Sequence, residues 1–235
     1  MMTHRRSAER GRGSFGWLET YYTFSFAGYF DADHVGFRTL RVLNDDTIAP
    51  ARGFGPHAHR DMEIITYILS GELRHKDSMG EERVFGRNVV QCMSAGTGVV
   101  HSEANPSTTE PVHLIQIWIE PSGEDFKPNY QQFPFSENEK LGRLRLIAAP
   151  QRHPDETAAV INQDAFIYAG VIRPRETVTY LLREKRHAWV HLATGTMNVN
   201  GHALSAGDAV ALSDEPEIVL SGSGSGGEVL VFDLP

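Results

Sequence analysis

The 235-residue chain predicts an all-β fold, a sandwich or barrel. Three observations carry that expectation. Runs rich in Val, Ile, Leu, Thr and aromatic residues recur along the whole chain. Clusters of Gly, Pro, Asp and Asn separate them. No long stretch repeats its apolar residues at the helical period of 3.6.

In chain order the expected strands are Thr23–Phe26, Arg38–Leu43, Met62–Leu69, Val112–Ile119, Leu144–Ala148, Thr177–Leu182, Trp189–Leu192 and Val229–Phe232. Short helical turns are expected near Ser136–Leu141 and Asn162–Phe166. The proline-bearing, mixed-polarity segment Pro121–Pro154 reads as the connection between two halves, and Ser221–Gly227 as a flexible loop.

The halves echo one another. Tyr67–Leu73 resembles His191–Met197 at an offset of 124, each an apolar strand, a small residue and Gly, then another strand. Ser94-Ala95-Gly96 resembles Ser205-Ala206-Gly207 at an offset of 111. Two β-barrels from an old duplication produce such a pattern.

Composition narrows the function classes. A hydrophobic content of 40% over this length suits one large β domain or two modest ones. The net charge of −8 argues against direct nucleic-acid binding through phosphates. The single cysteine, Cys92, excludes an intramolecular disulfide, fits a cytoplasmic setting and reads as a buried small hydrophobe. The basic start, with Arg5, Arg6, Arg10 and Arg12, lacks the apolar segment of a secretory signal and reads as a solvated arm or strand edge. No apolar run approaches the ~20 residues of a membrane helix. A monomer or small homo-oligomer is expected.

The chemistry concentrates in two short stretches. His57 and His59, after Gly53-Phe54-Gly55-Pro56, sit at i and i+2, which on a strand puts both imidazoles on one face. His101 and Glu103 repeat that spacing after Gly96-Thr97-Gly98. Facing strands would then bring three histidines and a carboxylate together, a donor set for Fe, Zn, Cu, Ni or Mn. Glu63 is an alternative carboxylate. His75 and Asp77 suit a barrel entrance or a turn, and His113 a satisfied core histidine or an outer partner of the site. At the two offsets, the second half places Leu181, Arg183, Leu212 and Asp214 where the first has His57, His59, His101 and Glu103. Any metal therefore belongs to the first half.

These motifs resemble the pirin family. His57, His59 and Glu63 match the first cupin motif, and Gly98, His101 and Asn105 match G-x-x-H-x-x-x-N. Further stretches fit in order: Glu9–Gly11, Gly16–Leu18, Thr23–Phe26, Gly71 with His75–Gly80, Met93–Gly98, His101–Pro106 and His113–Trp118. The resemblance spans essentially the whole chain and is nearest to bacterial pirin-like quercetin 2,3-dioxygenases. It implies a bicupin, two tandem double-stranded β-helix (jelly-roll) barrels. The expected division is 1–130, carrying the metal, and 131–235, lacking ligands. It further implies His57, His59, His101 and Glu103 as ligands, with Glu103 also the base, and Glu63, His75 and His113 as outer candidates. Fe(II) is the first expectation, with Mn, Ni, Co, Cu and Zn compatible. The implied activity opens the central ring of flavonols such as quercetin with O2, giving a depside and carbon monoxide. The alternative implied role is an iron-binding regulatory or redox-sensing protein acting on partner proteins. Another cupin activity on a small metabolite is a third reading.

Overall fold

Strands such as Ile64–Leu69, apolar at nearly every position, need cover on both faces. The computed structural model, which describes residues 1–151, 153 and 157–235, supplies that cover by pressing two barrels together. Its strands are β1 (Met2–Arg5), β2 (Gly11–Ser14), β3 (Leu18–Tyr22), β4 (Leu40–Ile48), β5 (Gly53–His59), β6 (Glu63–Ser70), β7 (Glu72–Asp77), β8 (Glu82–Gly86), β9 (Val89–Ser94) and β10 (Val99–Ala104). They continue with β11 (Val112–Ile119), β12 (Asn129–Pro134), β13 (Arg145–Pro150), β14 (Ala159–Ile161), β15 (Phe166–Ile172), β16 (Thr177–Leu181), β17 (His187–Val199), β18 (His202–Ser205), β19 (Ala209–Ser213) and β20 (Glu217–Leu234). Among the described residues there is no α-helix, so none long and apolar enough to cross a membrane.

The first barrel has a seven-stranded layer, β12-β9-β6-β11-β4-β3-β2, over a four-stranded layer, β5-β10-β7-β8. The second is built on β1-β19-β17-β20-β15-β13-β14, with β16 on β20 and β18 on β17. Alternation along β6 assigns each side chain. Ile65, Tyr67 and Leu69 join the largest core, shared with Ile167, Trp189, Leu230 and Phe232 of the second barrel. Ile64 and Ile68 point into the first barrel instead.

Several sequence expectations shift. Thr23–Phe26 follows β3 rather than forming a strand, and of the two expected turns only the one at Glu137–Glu139 is helical, as a single 3-10 turn. The Pro121–Pro154 connection contains β12, which pairs with β9, and β13, which pairs with β15. Its last residue, Pro154, lies outside the described residues. The division expected at residue 130 falls inside β12, and β1 crosses over to pair with β19 of the second barrel. The Ser221–Gly227 stretch is part of β20 rather than a loop. Arg5 and Arg10 are not solvated: both are buried, paired with Asp31 and Asp45.

Half of the internal echo holds. Gly71, between β6 and β7, and Gly195, at a register shift inside β17, share φ +78°, a conformation that favours glycine. The other half does not. Ser94-Ala95-Gly96 leads into β10, whereas Ser205-Ala206-Gly207 leads into β19, which pairs with β17 as β9 pairs with β6. His101 pairs with His57; its structural counterpart Ile218 pairs with Tyr180. Glu103 pairs with His75; its counterpart Leu220 pairs with Val199. Leu182, bonded to Pro216, takes the place of His59. Leu182, Ile218 and Leu220, with Val178 and Tyr180 against them, fill the second barrel as an apolar core. The second barrel thus lacks the donor set, for a different set of residues than the offsets gave.

Polar groups are buried between the barrels. His191 is fully buried beside Arg10, Asp45 and Asp208, and neither ring nitrogen has a hydrogen-bond partner among the described residues. Burial, reinforced by the Arg10 charge, pushes its pKa down from 6.5 to about 3. Above pH 6.5 His191 is neutral whether the chain is folded or not. Below it the unfolded chain takes up a proton that the folded chain refuses. Stability therefore falls as pH drops from 6.5 toward 3, by up to about 1.4 kcal/mol per pH unit. His191→Leu is expected to flatten this slope in urea melts between pH 6.5 and 4.5; an unchanged slope contradicts it.

Candidate metal centre

β5 and β10 run antiparallel, and their register places His57 directly opposite His101. His59, two residues along, projects to the same face as His57. The three rings converge. The Nε2 atoms of His57 and His101 are 3.1 Å apart, and the His59 ring centre is 4.8 Å from each of the other two.

Hydrogen bonds on the far side of two rings define what these nitrogens present. His57 Nδ1 is 2.8 Å from the Gly55 carbonyl oxygen, which only accepts. The proton is therefore on Nδ1, and Nε2 offers a lone pair. His101 is set through a longer chain. Asp77 Oδ1 accepts the Met79 and Glu81 backbone N–H groups, while Oδ2 lies 2.9 Å from His75 Nε2. The carboxylate accepts, so His75 carries its proton on Nε2 and accepts at Nδ1. His101 Nδ1, 3.5 Å away, donates to it. His101 Nε2 is then also a lone pair. Two lone pairs facing at 3.1 Å repel unless a cation lies between them. Burial, with the neighbouring histidines, also holds His101 and His59 well below the usual histidine range. The donor set fits a divalent metal and disfavours protons.

Glu103 follows a bulge after His101 and is buried. Its carboxylate accepts from Gln116 Nε2 at 2.9 Å and Thr66 Oγ1 at 3.4 Å. Thr66 Oγ1 also lies 3.2 Å from Gln116 Oε1, so its single hydroxyl proton serves one of the two acceptors at a time, while the Gln116 amide N–H points to Glu103. Burial, with the Asp46 charge nearby, raises Glu103 to about 7 against those hydrogen bonds. Near neutral pH this carboxyl can take or release a proton.

A cavity of about 360 Å³ opens onto His57, His59 and Glu103. Trp17, Tyr22, Phe26, Phe54 and Trp118 wall it. Trp118 meets His59 edge-on at 4.9 Å, and Trp17 meets Phe54 likewise at 5.1 Å.

The structure brings His57, His59 and His101 into one group; Glu103 groups with His101 and His75. Glu63 is elsewhere. Three residues from Thr66, it faces the other barrel, accepting from Ser94 at 2.6 Å and from Asn162 of the second barrel at 2.9 Å. His113 is half-buried on that same outer face, 2.7 Å from Asp45. Asn105 ties down its own loop through the Ile48 and Glu110 carbonyls. Thr66 and Gln116 escaped the sequence reading, yet carried a signal. Each is a polar residue inside a strand buried on both faces, where an unpartnered side chain is costly.

Asp77→Asn tests the tautomer chain. An amide can present N–H to His75 Nε2 and reverse both rings. Metal affinity is expected to fall about 10- to 100-fold with the fold intact, read by chelator competition; unchanged affinity contradicts the chain.

A jelly-roll barrel whose three converging histidines line an aromatic cavity and could hold a metal, fused to a second barrel that shows no such group among the described residues, defines a bicupin. Matches to known proteins narrow the class. The family model for pirin matches residues 3–119, and that for the quercetinase C-terminal cupin domain matches 146–234. The quercetin 2,3-dioxygenase of Escherichia coli is 40% identical over 235 residues, covering 100% of this chain and 99% of that protein. The crystal structure of YhhW from Escherichia coli superposes with a TM-score of 0.94 at 40% identity, covering 100% of this chain and 98% of that one. A structure of the bacterial pirin YhhW in complex with nickel(II) gives 0.93 at 39% identity, covering 100% and 99%. The chain belongs to the pirin family.

Proposed function

We propose that the protein is a metal-dependent dioxygenase that opens the central ring of a flavonol with O2, yielding a depside and carbon monoxide. The observation that carries this is the cavity: an apolar, flat-walled space opens directly onto the converging histidines. A closed metal site acting only through partner proteins has no need of such a space. The quercetin dioxygenase names of the full-length relatives support the same reading.

In this reading His57, His59, His101 and Glu103 hold one divalent metal, Fe(II) first, with Mn, Ni, Co, Cu or Zn compatible. When bound, the metal supplies Lewis acidity toward the flavonol 3-hydroxyl and a meeting point for substrate and O2. The first barrel does the chemistry, and the second closes its outer face. Glu103, a buried carboxylate bordering the cavity, receives the 3-hydroxyl proton. Gln116 and Thr66 keep the receiving oxygens aimed into the cavity. Trp118, Phe54 and Trp17 hold the flat ring system and keep bulk water from the opening ring.

Glu103→Gln keeps size and hydrogen bonding but cannot accept the proton. A drop in turnover of about 10²- to 10⁴-fold is expected, with metal retained through the three histidines. Turnover within a few-fold of wild type overturns Glu103 as base.

A further inference from the structure

Residues 23–39 connect β3 to β4, and one turn of that loop walls the cavity. In the turn, the Phe26 N–H donates to the Tyr29 carbonyl at 3.0 Å and the Tyr29 N–H to the Phe26 carbonyl at 2.9 Å. Phe26 and Ala27 line the cavity. The Phe26 ring meets Trp118 edge-on at 5.2 Å, and Trp118 in turn meets His59. Ala27 has φ +50°. That left-handed conformation is unfavourable for a residue with a Cβ and persists only where its surroundings hold it.

The hold comes from outside the first barrel. β1 pairs with β19 of the second barrel, and its last residue, Arg5, lies opposite Ala209. Arg5 is 4% exposed, and its Nη2 donates to Tyr29 Oη at 3.2 Å and to Asp31 Oδ2 at 3.3 Å. Tyr29 Oη donates to the same Asp31 oxygen at 3.2 Å, and His34 Nδ1 lies 2.9 Å from it. Asp31 Oδ1 accepts the Asp33 N–H at 3.1 Å, and the Asp31 N–H donates to Ser25 Oγ at 2.9 Å. Every one of these hydrogen-bond partners except Arg5 belongs to the loop itself. The Tyr29 ring stacks on Tyr22 with 5.9 Å between centres and presses on Gly11, where a Cβ would fall 2.5 Å from the ring. Arg5 is thus the charged tie between the loop that walls the cavity and the sheet of the other barrel.

We propose that Arg5 is a positioning residue: through Tyr29 and Asp31 it fixes the Phe26–Ala27 turn as a wall of the cavity, and so sets the affinity for a flat aromatic substrate. The inference rests on the flavonol reading and deepens it, because it gives the second barrel's sheet a part in substrate binding. A loop that only visits the wall position binds more weakly, in proportion to the fraction of molecules that have it in place, while the saturated enzyme is unaffected. Loss of Arg5 therefore raises KM and spares kcat. A merely structural loss does the reverse: unfolded molecules lower kcat and metal content and leave KM alone.

The test uses metal-reconstituted wild type, Arg5→Met, Arg5→Lys and Asp31→Asn, with quercetin as substrate. Arg5→Met keeps the buried length without the charge. Asp31→Asn weakens the pair from the loop side and leaves β1 intact, so it carries the comparison if Arg5→Met does not fold. Both Arg5 bonds come from one nitrogen rather than from a fork, so a lysine ammonium can replace them. KM is expected to rise about 5- to 10-fold in Arg5→Met and Asp31→Asn, with kcat and metal content nearly unchanged. Arg5→Lys is expected to recover most of the affinity. Without substrate, amide hydrogen exchange over residues 25–34 should quicken in Arg5→Met and Asp31→Asn, with β6 and β11 unchanged. Wild-type KM in both of these variants, a fall in kcat at unchanged KM, or a lysine no better than methionine overturns the proposal and leaves the flavonol reading standing. If wild type does not act on quercetin, the flavonol reading fails and exchange decides: acceleration confined to the loop supports the tie, and unchanged or chain-wide exchange overturns it.

Discussion

His101→Ala is expected to yield a folded protein that neither binds the metal nor turns over a flavonol. His101 belongs to both donor groups of the site, the one with His57 and His59 and the one with His75 and Glu103. Removing it leaves two histidines on β5 with no partner across the strand pair. Metal that binds only the folded state stabilises by about 4 kcal/mol at a thousandfold excess over Kd. Wild type should therefore melt several degrees higher with metal, and the variant at one temperature with or without it. The variant's metal-free stability should stay within about 2 kcal/mol of wild type, because one buried hydrogen bond to His75 is lost. A metal-dependent melting shift in the variant, or metal content near one per chain, would place the site elsewhere.

Lys140→Ala is expected to have the largest effect on stability. Lys140 is completely buried between the barrels. Its Nζ donates to Glu228 Oε1 at 2.6 Å and to Tyr67 Oη at 3.1 Å, and Glu137 lies at 3.5 Å. Tyr67 belongs to the first barrel and Glu228 to the second, so one ammonium joins both. Its removal strands the buried Glu228 carboxylate with the half-exposed Arg87 as its remaining cation. Breaking one side of a buried pair costs roughly 3–5 kcal/mol, which is on the order of 10 °C in melting temperature for a chain of this size. Lys140→Met with Glu228→Leu should recover part of the loss, since the unpaired charge goes too. Calorimetry decides: a single-variant shift of a degree or two would show that water reaches Glu228.

The site was more legible in the sequence than the strands around it. His57, His59 and His101 were found because i, i+2 spacing has one meaning on a strand, and β5 and β10 pair as that spacing requires. Val112–Ile119 was read to the residue because six of its eight residues are apolar, with only His113 and Gln116 between them. β5, β7 and β8 were missed as runs because their residues are largely exposed or polar. Glu63 shows the limit of motif matching. It stands near the ligands in sequence, but alternation along β6 turns it toward Asn162. The counterparts of His101 and Glu103 were misplaced because a short tripeptide match outweighed strand pairing, and those of His57 and His59 by one residue, because the offset of Gly71 and Gly195 does not carry back to β16.

One measurement bears most directly on dioxygenase chemistry at the three histidines: aerobic incubation of quercetin with metal-reconstituted wild type and with His101→Ala, following flavonol absorbance, O2 uptake and carbon monoxide together. We expect one O2 consumed and one carbon monoxide released per flavonol lost by the wild type, and none of the three changes with the variant. Tight metal binding with no flavonol loss and no carbon monoxide across Fe, Mn, Ni, Co and Cu would contradict the enzyme reading and favour a metal-dependent binding protein.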